Sequence, residues 1–318
     1  MAWFSVAMGL DHGLPAQSSK PDMSDVMNGW TPDGASNFKA IYQVSALKAA
    51  FLLFLKNVYN LYPEDRFHNL IEQATNAGKS DREIYQLIHS QLSTINPFLS
   101  ELRYALPALT RQKAEMTRQT LELLGGTGKI NGYMEIGTTG RYAGKLKSSV
   151  EISGDLILLN SQEPTYSPVD MLERGQPTKV GRFVPLKDYD PVTAAEVGDA
   201  SLDVVANYIG IHHSPPAKRD AFVRSIHRTL RPGGRMILRD HNVNSVEMNH
   251  MVALAHDVFN VGLGTDWSVN QKEIRNFTSM KEIIGYLDRF GLKLSPRKSP
   301  ILQTGDPTQN ALMEFVKA

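Results

Sequence analysis

From about residue 128 onward, short strand-like runs alternate with helix-length segments, and no other feature of the sequence restricts the fold as much. "YMEIG", "GDLILLN", "RFVPL", "LDVVANYIGI" and "RMILRDHNV" are rich in β-branched or apolar residues and are separated by stretches long enough for crossover helices. That order predicts a parallel sheet covered on both faces. The last two runs, "FGLKLSP" and "NALMEFVKA", are joined only by the Gly/Pro-containing "RKSPILQTGDPTQ". No crossover helix fits between them, so this pair is predicted to be antiparallel.

The chain before residue 128 has a different period. Residues 1–37 are rich in Gly, Pro, Ser and Asp and read as a loop-like arm. From there to residue 127 the pattern is helical: Leu47, Ala50, Phe51, Phe54 and Val58 recur at spacings of three and four, as do Ile84, Leu87, Ile88 and Leu92. Ser80 followed by Glu83 predicts a capping box. Pro63, Gly78, Pro97 and Pro107 divide the stretch into about four helices. The glycines of "GGTGKING" then act as a hinge. The expected organisation is an arm over 1–37, a helical cap or lid over 38–127, and an α/β domain over 128–318 with an insert at about 244–278.

Composition narrows the function. With 34 Lys+Arg against 33 Asp+Glu, no net field steers the chain to nucleic acid or to an anionic membrane. The absence of cysteine excludes a disulfide framework, thiolate zinc ligands and a cysteine nucleophile, and fits a reducing, cytoplasmic location. "MAWFSVAMGLDHGLP" lacks the basic start of a signal peptide. The run "ALKAAFLLFL" is about half a bilayer crossing.

Four landmarks follow one another in register: "EIGTTG" after the first strand, "VPLKDYDP" after the third, "DASLDVVANYIGIHH" around the fourth, and "IHRTLRPGGRMILRD" leading into the fifth. In this the chain resembles the class I S-adenosylmethionine-dependent methyltransferases over roughly residues 128–318, and "LRPGGRMIL" is the most specific of the matches. The resemblance implies a Rossmann-like sheet with an antiparallel last strand, and S-adenosylmethionine as methyl donor or as substrate. It places Glu135, Gly137, Thr138 and Gly140 at the amino-acid end of the cofactor, Asn160 near the ribose, Asp188 and Tyr189 near the adenine, and Asn207 beside the reacting centre. Glycine's missing Cβ would allow close backbone approach at Gly137 and Gly140. A plainer reading of the same stretch makes Glu135 a helix cap and the glycines a turn. Thr139 and Arg141 stand where further glycines are usual, and Asn160 replaces the usual ribose-binding carboxylate with a weaker acceptor.

In this fold ligands bind beyond the carboxyl ends of the strands. The end of the fourth strand therefore offers Asn207 as an acceptor for a substrate amine or hydroxyl. It also offers the Tyr208 ring to a sulfonium, a contact of roughly 0.5–2 kcal/mol. His241, at the end of the fifth strand, is a candidate general base, as is His213. His212 and His213 are adjacent and no carboxylate lies at motif spacing, so no metal is expected. Met248, Met251, Val252, Ala255 and Phe259 form a helical stripe in the insert, which with the N-terminal helices can roof the site.

Three functions are compatible with these residues. The first is methyl transfer to a small-molecule nucleophile under the cap. The second is attack of the cofactor's own amino group on its γ-carbon, giving azetidine-2-carboxylate and methylthioadenosine. The third is a catalytically inactive cofactor-binding protein. The partner expected is a small molecule, with no nucleic acid and no membrane, and a homodimer through the helical segment is left open.

Overall fold

The computed structural model describes residues 35–96, 104, 106–126, 128–297 and 300–318. The expected arm lies almost wholly outside them, as does Pro97. Eight strands form one sheet: β1 (Lys129–Ile136), β2 (Glu151–Asn160), β3 (Arg182–Pro185), β4 (Leu202–Asn207), β5 (Leu230–His241), β6 (Leu292–Leu294), β7 (Ile301–Leu302) and β8 (Asn310–Lys317). Their order is β3-β2-β1-β4-β5-β8-β6, with β7 on β8. The first five pair in parallel, while β8 runs antiparallel to β5 and to β6. This is the mostly parallel sheet with an antiparallel last pair that the strand pattern predicts, in the Rossmann-like form that the resemblance implies. The two-residue β7, too short to carry a period, is an addition to it.

The alternation of each strand divides the core in two. Met134, Ile136, Ile157, Leu159, Val205, Met236 and Leu238 point to the face covered by α8 (Pro216–Thr229) and α11 (Met280–Asp288). Tyr133, Leu158, Val204, Ala206, Tyr208 and Ile237 point to the other face, where they meet α5 (Leu106–Leu123) and the short α6 (Ala143–Leu146).

A second core holds the cap. It is built from α1 (Asn37–Tyr42), α2 (Ser45–Phe54) with the wide turn Leu55–Tyr59 that continues it, α3 (Glu64–Ala77) and α4 (Asp81–Ile95). α9 (Val246–Gly262), which follows β5, contributes Met251, Leu254, Ala255, Val258 and Val261 to that same core. The cap is thus assembled from two distant parts of the chain, while α5 packs on the sheet through Met116, Leu123 and Leu124. Ser80 accepts from the Glu83 N–H at the start of α4, one half of the predicted capping box, while the Glu83 carboxylate accepts from the Lys79 N–H at 2.8 Å. No described helix is long and apolar enough to cross a membrane.

α9 approaches the cap so closely that Gly262 has no room for a side chain: a Cβ there would lie 1.5 Å from the Tyr59 hydroxyl. Gly285, within α11, faces open space. Gly262→Ala is therefore expected to lower the unfolding free energy by about 1–3 kcal/mol. Gly285→Ala should raise it by about 0.5–1 kcal/mol. Urea denaturation of the two variants against the parent checks both signs.

Candidate active site

The end of β4 turns back on itself at Gly210, whose φ of 90° suits glycine. A Cβ there would come 2.4 Å from the His212 ring. That close approach lets the Asp240 carboxylate, at the end of β5, gather three donors. It accepts from the Ile211 N–H at 2.9 Å, from His212 Nδ1–H at 2.6 Å and from the His241 N–H at 2.8 Å. Burial pushes the Asp240 carboxyl up, and burial together with neighbouring His213 and His241 pulls His212 well down. The His212 imidazole is accordingly neutral, with the proton on Nδ1 and a lone pair on Nε2.

These residues form one wall of a cavity of about 170 Å³. Tyr208, Arg239 and His241 belong to the same wall, Asp306 and Thr308 enter from the loop before β8, and Asn310 is the first residue of β8. The cap supplies Phe54, Val58, Tyr59, Ala255 and Phe259. His241 donates Nδ1–H to the Thr308 carbonyl at 3.1 Å, and burial lowers its pKa to about 4. Tyr208 shares a 2.9 Å hydrogen bond with Thr120 and tilts its ring against Tyr142 with centroids 4.3 Å apart. Four buried polar atoms on the lining residues have no partner: His212 Nε2, Asp306 Oδ2 and Asn310 Oδ1 on the sheet side and the Tyr59 hydroxyl on the cap side.

Of the residues expected to carry chemistry, Tyr208 and His241 reach this cavity and Asn207 does not. Asn207 Oδ1 accepts the N–H groups of Ile209 and Gly210, both at 3.1 Å, so its side chain closes the turn instead of facing a substrate. Strand alternation explains the difference, because Asn207 shares the face of Val205 and Tyr208 that of Ala206.

The glycine turn after β1 likewise follows the plainer reading. Glu135 is fully buried, and each of its oxygens is taken. One accepts from Thr138 Oγ1 and the Tyr142 N–H; the other accepts from the Tyr133 hydroxyl at 3.1 Å and the Ala143 N–H at 2.7 Å. These bonds make it the cap of α6. Thr138 Oγ1 in turn accepts from the N–H groups of Gly140 and Arg141. Thr139 and Arg141, the two departures from glycine, both bind Glu173 on α7 (Pro168–Arg174), Thr139 Oγ1 at 2.8 Å and Arg141 Nε at 2.9 Å.

Fit to S-adenosylmethionine is judged on the remaining residues. Asn160, at the end of β2, donates Nδ2–H to the Gln162 carbonyl while its buried Oδ1 has no partner, which suits a ribose hydroxyl. Asp188 and Tyr189 follow β3 in left-handed backbone. Asp188 is exposed and pairs with Lys218 at 3.1 Å, and Tyr189 is buried edge-on to Phe222. Gly137, with φ of 80°, is crossed by the tip of Ile209: a Cβ would meet Ile209 Cδ1 at 2.2 Å. Ile209 thus lies across the turn through Cδ1 and both γ-carbons, and a ligand there would have to displace it.

Several lining groups were invisible to motif spacing. His256 comes from α9, Glu273 from the segment after it, and Asp306 from the loop before β8. The one local signal was "AHD" at 255–257, a His-Asp pair inside an otherwise apolar helix. Arg275 explains the pair: its guanidinium bonds Asp257 at 2.7 Å, Glu273 at 2.9 Å and Asn270 at 2.8 Å, tying the loop to α9.

Residues 171–238, from α7 into β5, match the family described as a methyltransferase domain. No curated protein matches the chain. Among solved structures, the chain is similar to the 1,6-didemethyltoxoflavin-N1-methyltransferase of Burkholderia thailandensis, bound to 1,6-didemethyltoxoflavin and S-adenosylhomocysteine. That match has 12% identity over 76% of this chain and 92% of that one, with a TM-score of 0.43. Similarity to the mitomycin 7-O-methyltransferase MmcR is 14% over 80% and 68%, TM-score 0.43. For the pyocyanin biosynthetic protein PhzM it is 12% over 86% and 74%, TM-score 0.48. The sheet order and the matched segment agree with the methyltransferase-like fold that the resemblance implies.

Two substitutions probe the assembly. Asp240→Ala strands three buried donors and is expected to cost about 1–3 kcal/mol for each group left unpaired, read from urea melts. Ile209→Ala should bind S-adenosylhomocysteine at least as tightly as the parent by calorimetry, whereas Ile209→Trp should bind it more weakly.

Proposed function

We propose that the protein transfers the methyl group of S-adenosylmethionine to a small-molecule nucleophile held between the cap and the ends of β4 and β5. The carrying observation is the cavity, whose cap side is largely apolar apart from the Tyr59 hydroxyl and whose sheet side carries the unpartnered acceptors Asp306 Oδ2 and Asn310 Oδ1. Such a wall suits a ligand that brings N–H or O–H donors, because each acceptor left dry and unpaired costs about 1–3 kcal/mol.

Bound S-adenosylmethionine supplies an electrophilic methyl carbon: the nucleophile's lone pair forms the new bond, the C–S pair returns to sulfur, and one proton is released. The protein's contribution is placement. The rings of Tyr208 and Tyr142 offer π-faces to a cation near the end of β4. Asn160 Oδ1 accepts a ribose hydroxyl. His241 Nε2, left unprotonated because Nδ1–H is given to Thr308, receives the nucleophile's proton.

The test combines binding and products. S-adenosylhomocysteine should bind by calorimetry, and with a panel of small phenols, heteroaromatic amines and hydroxamates it should accumulate as product. His241→Ala should keep cofactor affinity and lose about 10²–10⁴-fold in kcat. Methylthioadenosine and a cyclic imino acid formed from S-adenosylmethionine alone would overturn methyl transfer in favour of ring closure. Failure to bind S-adenosylhomocysteine would overturn both.

A further inference from the structure

Four of the chain's nine histidines share one buried cluster. Ring centroids of His212 and His213 are 4.1 Å apart, and His256 lies 5.3 Å from His212 and 5.5 Å from His213. His241 is 5.6 Å from both His212 and His256, and Phe277 closes the group from behind. Among the described residues, one ring nitrogen from each of His212, His213 and His256 lies within 4.8 Å of the other two.

The partners of these rings fix their protons. His212 Nδ1 meets the Asp240 carboxylate, His213 Nδ1 the Ile274 carbonyl at 3.2 Å, and His256 Nδ1 the Val252 carbonyl at 3.0 Å. A carboxylate and two carbonyls only accept, so each Nδ1 is the protonated nitrogen and each Nε2 carries a bare lone pair. Lone pairs converging in a buried space, with His212 Nε2 lacking any partner, are the arrangement that a cation completes. A ring N–H given to a carboxylate or carbonyl, with the other nitrogen left free, is also the outer shell that orients histidine ligands in metal sites.

We propose that His212, His213 and His256 bind a divalent first-row transition-metal ion through Nε2, with zinc the best match to three imidazoles, and with the fourth position open to the cavity. Imidazole nitrogens suit zinc, nickel, cobalt or iron and not magnesium or calcium, which take oxygen. Three protein ligands with one open position is the pattern of a catalytic ion, where a closed structural site has four. Zn–N bonds of about 2.0–2.1 Å require the rings to draw together when the ion enters. His256 moves with α9 and the other two with the β4 turn, so binding also clasps the cap to the sheet. Motif spacing in the sequence gave no metal site because two adjacent histidines lack a third ligand; folding brings the third from α9.

The test uses untagged full-length protein, stripped with chelator and titrated with Co²⁺ alone and then Zn²⁺ alone. A single equivalent of Co²⁺ should produce visible d–d absorption of a four-coordinate site, Zn²⁺ should displace it, and either ion should raise Tm. His256→Ala and His213→Asn, each checked for folding by circular dichroism, should lose the absorption. His89→Ala, remote from the cluster, should keep it. Asp240→Asn should weaken binding by about 10–100-fold without abolishing it, the signature of a positioning group. Absent absorption and an unchanged Tm in the unaltered protein would overturn the site, whatever the variants do. So would retention of full binding by folded His256→Ala. No arm uses S-adenosylmethionine, so the outcome is separate from that of methyl transfer.

Discussion

The Asp240 carboxylate is the interaction on which the rest of the site depends. It binds the turn after β4 through Ile211 and His212 and the end of its own strand through the His241 N–H. Two parallel strands diverge past their last ladder bond, and a buried acceptor shared between them holds their ends at a fixed separation. The cost is a desolvated carboxyl, offset by three donors that would otherwise be unpaired. Gly210 is part of the same solution, since any side chain would strike the His212 ring. Once His212 is fixed, its ring meets His256 on α9, so the geometry of the sheet passes directly to the cap.

That coupling explains why the fold was more legible than the site. Strand period, crossover length and the short final connection are local properties, and they give the sheet, its antiparallel edge and the covered faces. The α9 stripe of Met248, Met251, Val252, Ala255 and Phe259 was also readable, and most of it enters the cap core. The side chains that meet in the cavity come from eight separate stretches between Phe54 and Asn310, and no spacing rule joins His212 to His256 or Asp306. Glu135 and Asn207 show the complementary limit. Each accepts neighbouring backbone N–H groups, Glu135 those of Tyr142 and Ala143 and Asn207 those of Ile209 and Gly210, bonds that residue type and spacing alone do not reveal.

The glycine turn is a case in which substitution adds a function in place of removing one. Thr139 and Arg141 give up backbone freedom, yet both reach Glu173, and the Arg141–Glu173 pair is largely buried. The turn is thereby fastened to α7, an element outside the β1–α6 unit. A loop held this way loses less entropy when it receives a ligand, which favours binding without further contacts. Ile209 lies across the same turn, so a ligand approaching Gly137 would have to displace that side chain.

The two halves of the cavity then set the orientation of whatever enters it. Phe54, Val58 and Phe259 line the cap side, and an apolar body gains most by lying against them. Asp240, the histidines, Asp306 and Asn310 stand at the strand ends, where unpartnered acceptors require donors or a cation. A ligand placed the other way would bury its polar group against aromatic carbon and leave those acceptors dry, two penalties at once. The reacting group is thus directed to the β4 and β5 ends by the cost of every other pose, and the same asymmetry selects molecules that are apolar at one end and donor-bearing at the other.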